Sequence, residues 1–131
     1  YLRRPATVTI GTVGKAVDTV EQRVEMISDD GKKRNRLVEI LRSGEFLPPV
    51  IIFVNQKKGV DQLARFLTKS GLSAATLHGG KSQEQREASL AQLKNGTAHY
   101  LVATDVAGRG IDIKDVSLVV NFDMAKNIEG K

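Results

Sequence analysis

The chain predicts an α/β domain built on a mainly parallel sheet of about five strands flanked by helices. Three observations carry that reading. Val50-Ile51-Ile52-Phe53-Val54 is an unbroken apolar, mostly β-branched run, the composition of a strand buried on both faces beneath helices. Stretches of strand character alternate with stretches of helical apolar spacing, which implies right-handed βαβ units. A length of 131 residues, 40% apolar and 27% charged, suits one domain with a core of its own.

Taken in order, Tyr1 to Thr19 is the least domain-like part. Val8-Thr9-Ile10 can form a short strand, after which Gly11, Gly14 and a run of small residues read as a linker. Val20 to Ile27 alternates, with Val20, Gln22, Val24 and Met26 on one side and Glu21, Arg23, Glu25 and Ile27 on the other, as a strand near a sheet edge does. Asp29 or Asp30 caps a helix whose Leu37, Val38, Ile40 and Leu41 form an apolar face and which ends at Gly44. Pro48-Pro49 stops any helix and leads into the Val50–Val54 strand.

Val60, Leu63, Ala64 and Leu67 follow at i, i+3, i+4 and i+7, with Gly71 as the stop. Ala74 to Leu77 is the next short strand. Ser82, with Gln85 in capping-box position, opens a helix whose buried side is expected to carry Ala88, Leu90, Ala91 and Leu93 before Gly96. His99 to Ala103 and Leu118 to Asn121 complete the strands. There is no internal repeat and no low-complexity tract.

A net charge of +5 favours an anionic partner, nucleic acid first. Only 5% of residues are aromatic and none is Trp, so bases have few platforms to stack on and a nucleic acid would be gripped by its backbone. The absence of Cys excludes a disulfide framework and Cys-based zinc sites, in keeping with a reducing compartment. No apolar run approaches the ~18 residues of a membrane span, and Tyr1-Leu2-Arg3-Arg4-Pro5 leads into no signal-like apolar region.

The chemistry concentrates in Val102 to Asp112. An apolar strand end is followed by a hydroxyl, a carboxylate, two glycines flanking an arginine, and a second carboxylate. Ligands of open α/β sheets bind outside the carboxyl ends of the strands. Gly108 and Gly110 allow a backbone to approach closely, while Thr104 and Arg109 can donate to phosphate oxygens.

The run Ala103-Thr104-Asp105-Val106-Ala107-Gly108-Arg109-Gly110-Ile111-Asp112 resembles the fifth conserved motif of the DEAD-box RNA helicases, in the second of their two RecA-like domains. Other stretches share the resemblance. Phe53-Val54-Asn55, ending a buried strand, is similar to the fourth motif; Lys57-Lys58 after it read equally well as a solvated helix start. Leu77-His78-Gly79-Gly80-Lys81-Ser82-Gln83-Glu84-Gln85-Arg86 is similar to the glycine-plus-Gln-x-x-Arg motif, with Gly80 where the family has an acidic residue. Gln83 and Arg86 stand three apart, on one face near a helix N-terminus, a position that favours phosphate. Val119 to Ala125 resembles the strand and turn after the fifth motif, with Ala125 for the usual proline, and Asp123 reads better as a turn cap than as a site residue.

Two decoys fail. A P-loop at Gly79-Gly80-Lys81-Ser82 would need a glycine where Ala75 stands, and Gly14-Lys15 has Thr9 at that place. Nor is there an Asp-Glu-Ala-Asp stretch to hold a metal. His78 and His99 do not stand at ligand spacing with carboxylates and read as structural or surface residues.

The resemblance implies a RecA-like domain over 20–131, preceded over 1–19 by the tail of another RecA-like domain and an interdomain linker. It implies that the C-terminal part, including an arginine-rich block, is missing after Glu129. In such a helicase Asp112, with Arg109 and Gly110, would face the ATP cleft, while Thr104, Gln83, Arg86, Gly79 and Asn55 would hold RNA. Mg²⁺ ligands would lie on the absent N-terminal domain, so the chain has no complete catalytic set, holds no metal and is expected to be inactive alone. Within the family, the wording of Phe53 to Gly59 and of Asp123 to Glu129 is nearest to members acting in the spliceosome, which implies spliceosomal partners and a nuclear location. The rival reading is a nonenzymatic RNA-binding module with a degenerate RecA-like fold.

Overall fold

The computed structural model describes residues 6–11, 22–27, 29–79, 82–104 and 116–122. Each expected strand forms within a residue or two of its predicted limits, and the short strand read at Val8–Ile10 within a linker joins the other five in one sheet. The strands are β1 (Ala6–Gly11), β2 (Gln22–Met26), β3 (Val50–Val54), β4 (Ala74–Leu77), β5 (Tyr100–Thr104) and β6 (Leu118–Phe122). They pair in the order β2-β1-β6-β3-β5-β4, every neighbouring pair parallel. The helices are α1 (Asp30–Arg42), α2 (Lys57–Lys69) and α3 (Gln83–Lys94).

The short linker strand is β1. By pattern alone Val8-Thr9-Ile10 is a short strand inside a linker stretch; in the fold Thr9 is paired with Val24 of β2 and with Asn121 of β6. Val8 and Ile10 are both fully buried, so the alternation of that short run supplies an inward face. β2 takes the sheet edge, as its half-polar alternation suggests.

The pleat divides the core in two. Tyr100 and Val102 of β5 join Val50, Ile52, Val54, Leu118, Val120 and Phe122 beneath α1 and α2, whose Leu37, Ile40, Leu63 and Leu67 close that layer. The alternate residues Leu101 and Ala103 face the other way, into a smaller cluster with Ala75, Leu77, Ala98 and Leu93 of α3. β3 is buried along nearly its whole length, as its unbroken apolar run requires.

Local signals set the helix limits. Asp29, not Asp30, caps α1, its side chain accepting the Lys32 N–H at 2.9 Å. Ser82 caps α3 in the capping box read from the sequence: the Gln85 N–H donates to Ser82 Oγ at 3.2 Å, and the Ser82 N–H to Gln85 Oε1 at 2.9 Å. Gly71 and Gly96, both at φ 87, end α2 and α3 in the left-handed region that side chains avoid. The apolar side of α3 differs from expectation. Ser89 and Leu93 are buried and Leu90 is half-buried, while Ala88 and Ala91 are exposed. Apolar residues at 88, 90, 91 and 93 run round the helix at 100° per residue, so they never made a single stripe. The face that packs is Arg86, Ser89, Leu90, Leu93, at i, i+3, i+4 and i+7.

Candidate functional site

Because all the strands run the same way, all their carboxyl ends lie along one rim. Registers fix what meets there: Val54 stands opposite Thr104, and Leu77 opposite Ala103. Asn55, the first residue past β3, is therefore beside Thr104, the last of β5, and His78 and Gly79 follow β4 on the far side of Thr104. Thr104 is half-buried; Asn55 and Gly79 are exposed. A Cβ built on Gly79 would meet no atom within 4 Å, so the space beside its backbone is open.

The N-terminus of α3 enters from the same rim. Gln83 is exposed, and its Nε2 donates to Glu87 Oε2 at 3.0 Å, which fixes the amide orientation because a carboxylate can only accept. Arg86 is half-buried at the head of the packed face, and its Nε is buried with no hydrogen-bond partner among the described residues. The two residues predicted to share a face thus split between an outward and an inward direction at one helix end. A buried donor left unpaired costs about 1–3 kcal/mol.

Five of the predicted site residues, Asn55, Gly79, Gln83, Arg86 and Thr104, are thereby brought to one rim. Arg109, Gly110 and Asp112, the expected ATP-facing residues, lie outside the described residues, as do Asp105, Gly108 and Asp123. Sequence reading missed one contact. His78, taken as structural or surface, places Nε2 3.3 Å from Oδ2 of Asp61 on α2. No spacing rule links residues 61 and 78; the β3-α2-β4 crossover brings them together. Among the described residues no group of three or more metal-ligating side chains is found. A shallow cavity of about 490 Å³, lined by Ala64, Arg65, Thr68 and Lys69 of α2 and Thr76 of β4, borders Asp61 and contains none of the predicted site residues. Tyr100, whose phenol is held above its ordinary value by burial, stands at the amino end of β5, away from the rim.

A parallel α/β sheet whose helices start along one carboxyl rim, where ligands of such sheets bind, is of the RecA-like class. The particular family is the helicase conserved C-terminal domain, to which this chain belongs: residues 32–130 match it. The pre-mRNA-splicing ATP-dependent RNA helicase PRP28 of Coccidioides immitis is 64% identical over 129 residues, 98% of this chain and 16% of that protein. Its counterpart in Neurospora crassa is 65% identical over 129 residues, again 98% of this chain and 18% of the relative. The crystal structure of the RNA-helicase Prp28 from Chaetomium thermophilum bound to ADP superposes with a TM-score of 0.71 at 60% identity, covering 86% of this chain and 28% of that one. The yeast DEAD-box splicing factor Prp28 gives 0.68 at 33% identity, covering 95% and 24%. The DEAD-box resemblance and the RecA-like fold read from the sequence hold. The chain spans about one sixth of the length of the curated relatives it matches.

Proposed function

We propose that this chain is the second RecA-like half of an ATP-dependent RNA helicase that opens short RNA duplexes during pre-mRNA splicing in the nucleus. The observation that carries the reading is the convergence of Asn55, Gly79, Thr104 and the α3 N-terminus on one rim, with the half-buried Arg86 at that helix end. The names of the relatives at 64–65% identity support the same activity, and the ADP-bound relative supports a nucleotide in the cleft.

In this reading the rim grips RNA by its phosphates and sugars. Arg86 supplies charge, Thr104 a hydroxyl donor, Gly79 an open backbone, and Gln83 and Asn55 amides. Contacts of that kind position a strand without reading its bases, so binding is largely independent of sequence and falls as salt rises. Asp112, with Arg109 and Gly110, is assigned to the ATP cleft formed with a first RecA-like domain, where Asp112 accepts from the ribose hydroxyl. ATP with Mg²⁺ supplies the phosphoryl-transfer chemistry, and the Mg²⁺ ligands are assigned to that first domain, not to this chain. The resemblance puts the division between the two domains at residues 1–19, and β1 lies within that span. Spliceosomal proteins are the expected partners.

RNA-stimulated ATP hydrolysis by the full-length protein tests the reading. Asp112→Ala is expected to raise the ATP requirement. Arg86→Ala is expected to raise the RNA requirement and to flatten the slope of log affinity against log salt by about 0.7, the value of one single-strand phosphate contact. A protein that binds RNA but never turns ATP over would be a binding module instead.

A further inference from the structure

Two separate stretches of the rim are tied together by a side-chain contact that the proposed RNA surface does not itself contain. His78 is the first residue after β4 and Gly79 follows it; Asp61 lies in α2, whose first turn continues from Asn55. The imidazole Nε2 is 3.3 Å from Asp61 Oδ2, and the His78 side chain is only 12% exposed against 53% for Asp61. The contact therefore joins the β3-to-α2 stretch to the β4-to-α3 stretch from within the protein.

The position matters because, among the described residues, the first turn of α3 buries little. α3 buries Ser89 and Leu93 in its later turns, while in its first turn Gln83, Glu84 and Gln85 are exposed and Arg86 is only half-buried. Among the described residues, apolar packing thus anchors the far end of α3, and the N-terminal end is marked by the Ser82 cap and the strand exit at His78. Only three residues separate His78 from that cap, so fixing the imidazole restricts where Gly79 and the first turn of α3 can stand.

We propose that Asp61 and His78 are positioning residues: without touching RNA, they set the placement of Gly79, Gln83 and Arg86, and so govern how much RNA the protein needs rather than how fast it turns over once RNA is bound. The proposal rests on the RNA-binding role proposed above.

The test uses the full-length protein and single-stranded polyuridylate as the probe. RNA-stimulated ATP hydrolysis is measured for Asp61→Asn, His78→Gln and the double variant, together with ATP half-saturation without RNA and the thermal midpoint. The half-saturating RNA concentration is expected to rise about two- to tenfold, the range of a single polar contact's net contribution. The rate at saturating RNA and the RNA-free ATP requirement should stay put, the double variant should be no worse than the poorer single variant, and Asp61→Glu should recover part of the loss. Variants that match the unmodified protein in RNA requirement overturn the positioning role, and so do variants whose maximal rate and thermal midpoint fall while their RNA requirement holds. If the unmodified protein does not respond to RNA at all, the functional reading fails and the positioning role fails with it.

Discussion

The two faces of the sheet are built to different depths. Beneath α1 and α2 lies a layer of large, fully buried side chains, Leu37, Leu63 and Leu67 against Val50, Ile52, Leu118 and Phe122. Beneath α3 the described cluster is Leu77, Leu93 and Leu101 with three alanines, Ala75, Ala98 and Ala103. Two contacts reinforce the thick side: the Arg34 guanidinium lies 5.4 Å from the centre of the Phe66 ring, and Arg42 donates to the Ser70 carbonyl, so α1 and α2 are joined along their length. The thin side carries the helix whose first turn faces the proposed RNA. In the proposed reading the thick side supplies most of the buried core, while α3 on the thin side supplies Gln83 and Arg86 to the RNA.

Truncation in the thick layer is the strongest test of that contrast. Leu63→Ala is expected to cost about 3–5 kcal/mol in urea unfolding, since the cavity it leaves is walled by large side chains that cannot collapse into it. Leu93→Ala should cost nearer ~2 kcal/mol, because alanines make up half of its cluster and leave fewer large side chains to lose contact with. Equal losses at the two positions would remove the distinction.

Caps sharpen it further. Asp29→Ala and Ser82→Ala each delete a side-chain acceptor at a helix N-terminus and should each cost about 1 kcal/mol. Only the second should weaken RNA binding in a titration, because only α3 carries proposed RNA contacts, Gln83 and Arg86, in its opening turn; an equal effect of Asp29→Ala on RNA affinity would break the division of labour. The smallest effect expected is alkaline. Burial raises the Tyr100 phenol above its ordinary 10.0, so the neutral form is favoured in the fold. The associated stability is complete below pH 10.0 and lost as pH climbs through the raised value. Tyr100→Phe should flatten that decline in a pH series of unfolding midpoints.

Much of this was legible in the residues. The Val50–Val54 run could only be a doubly buried strand, and the spacing of Ser82 and Gln85 is by itself enough to specify their reciprocal cap. Convergence at the rim was legible too, because a parallel sheet sends every strand end to one side. Three things were not. Lys33 is fully buried on α1 beside Leu37, against the ordinary preference of lysine for water, and its charge hid it from an apolar pattern. The packed face of α3 was obscured because Ser89 carries no apolar signal and the alanines carry too weak a one. The Asp61–His78 contact is tertiary, and local spacing holds no trace of it.

The strand order has a last consequence, for the time course of folding. β6 is the joint of the sheet: β1 and β2 lie on one side of it and β3, β5 and β4 on the other. It is also the last strand in the chain among the described residues, and the Asn121–Thr9 hydrogen bond across its pairing with β1 closes 112 residues. The unit β3-α2-β4-α3-β5 has its neighbours close in sequence and can gather early, whereas β1 and β2 have no route into the sheet until β6 arrives. On a ribosome, where the chain emerges amino end first, the earliest-made strands of this sheet, β1 and β2, would be among its last to find their place.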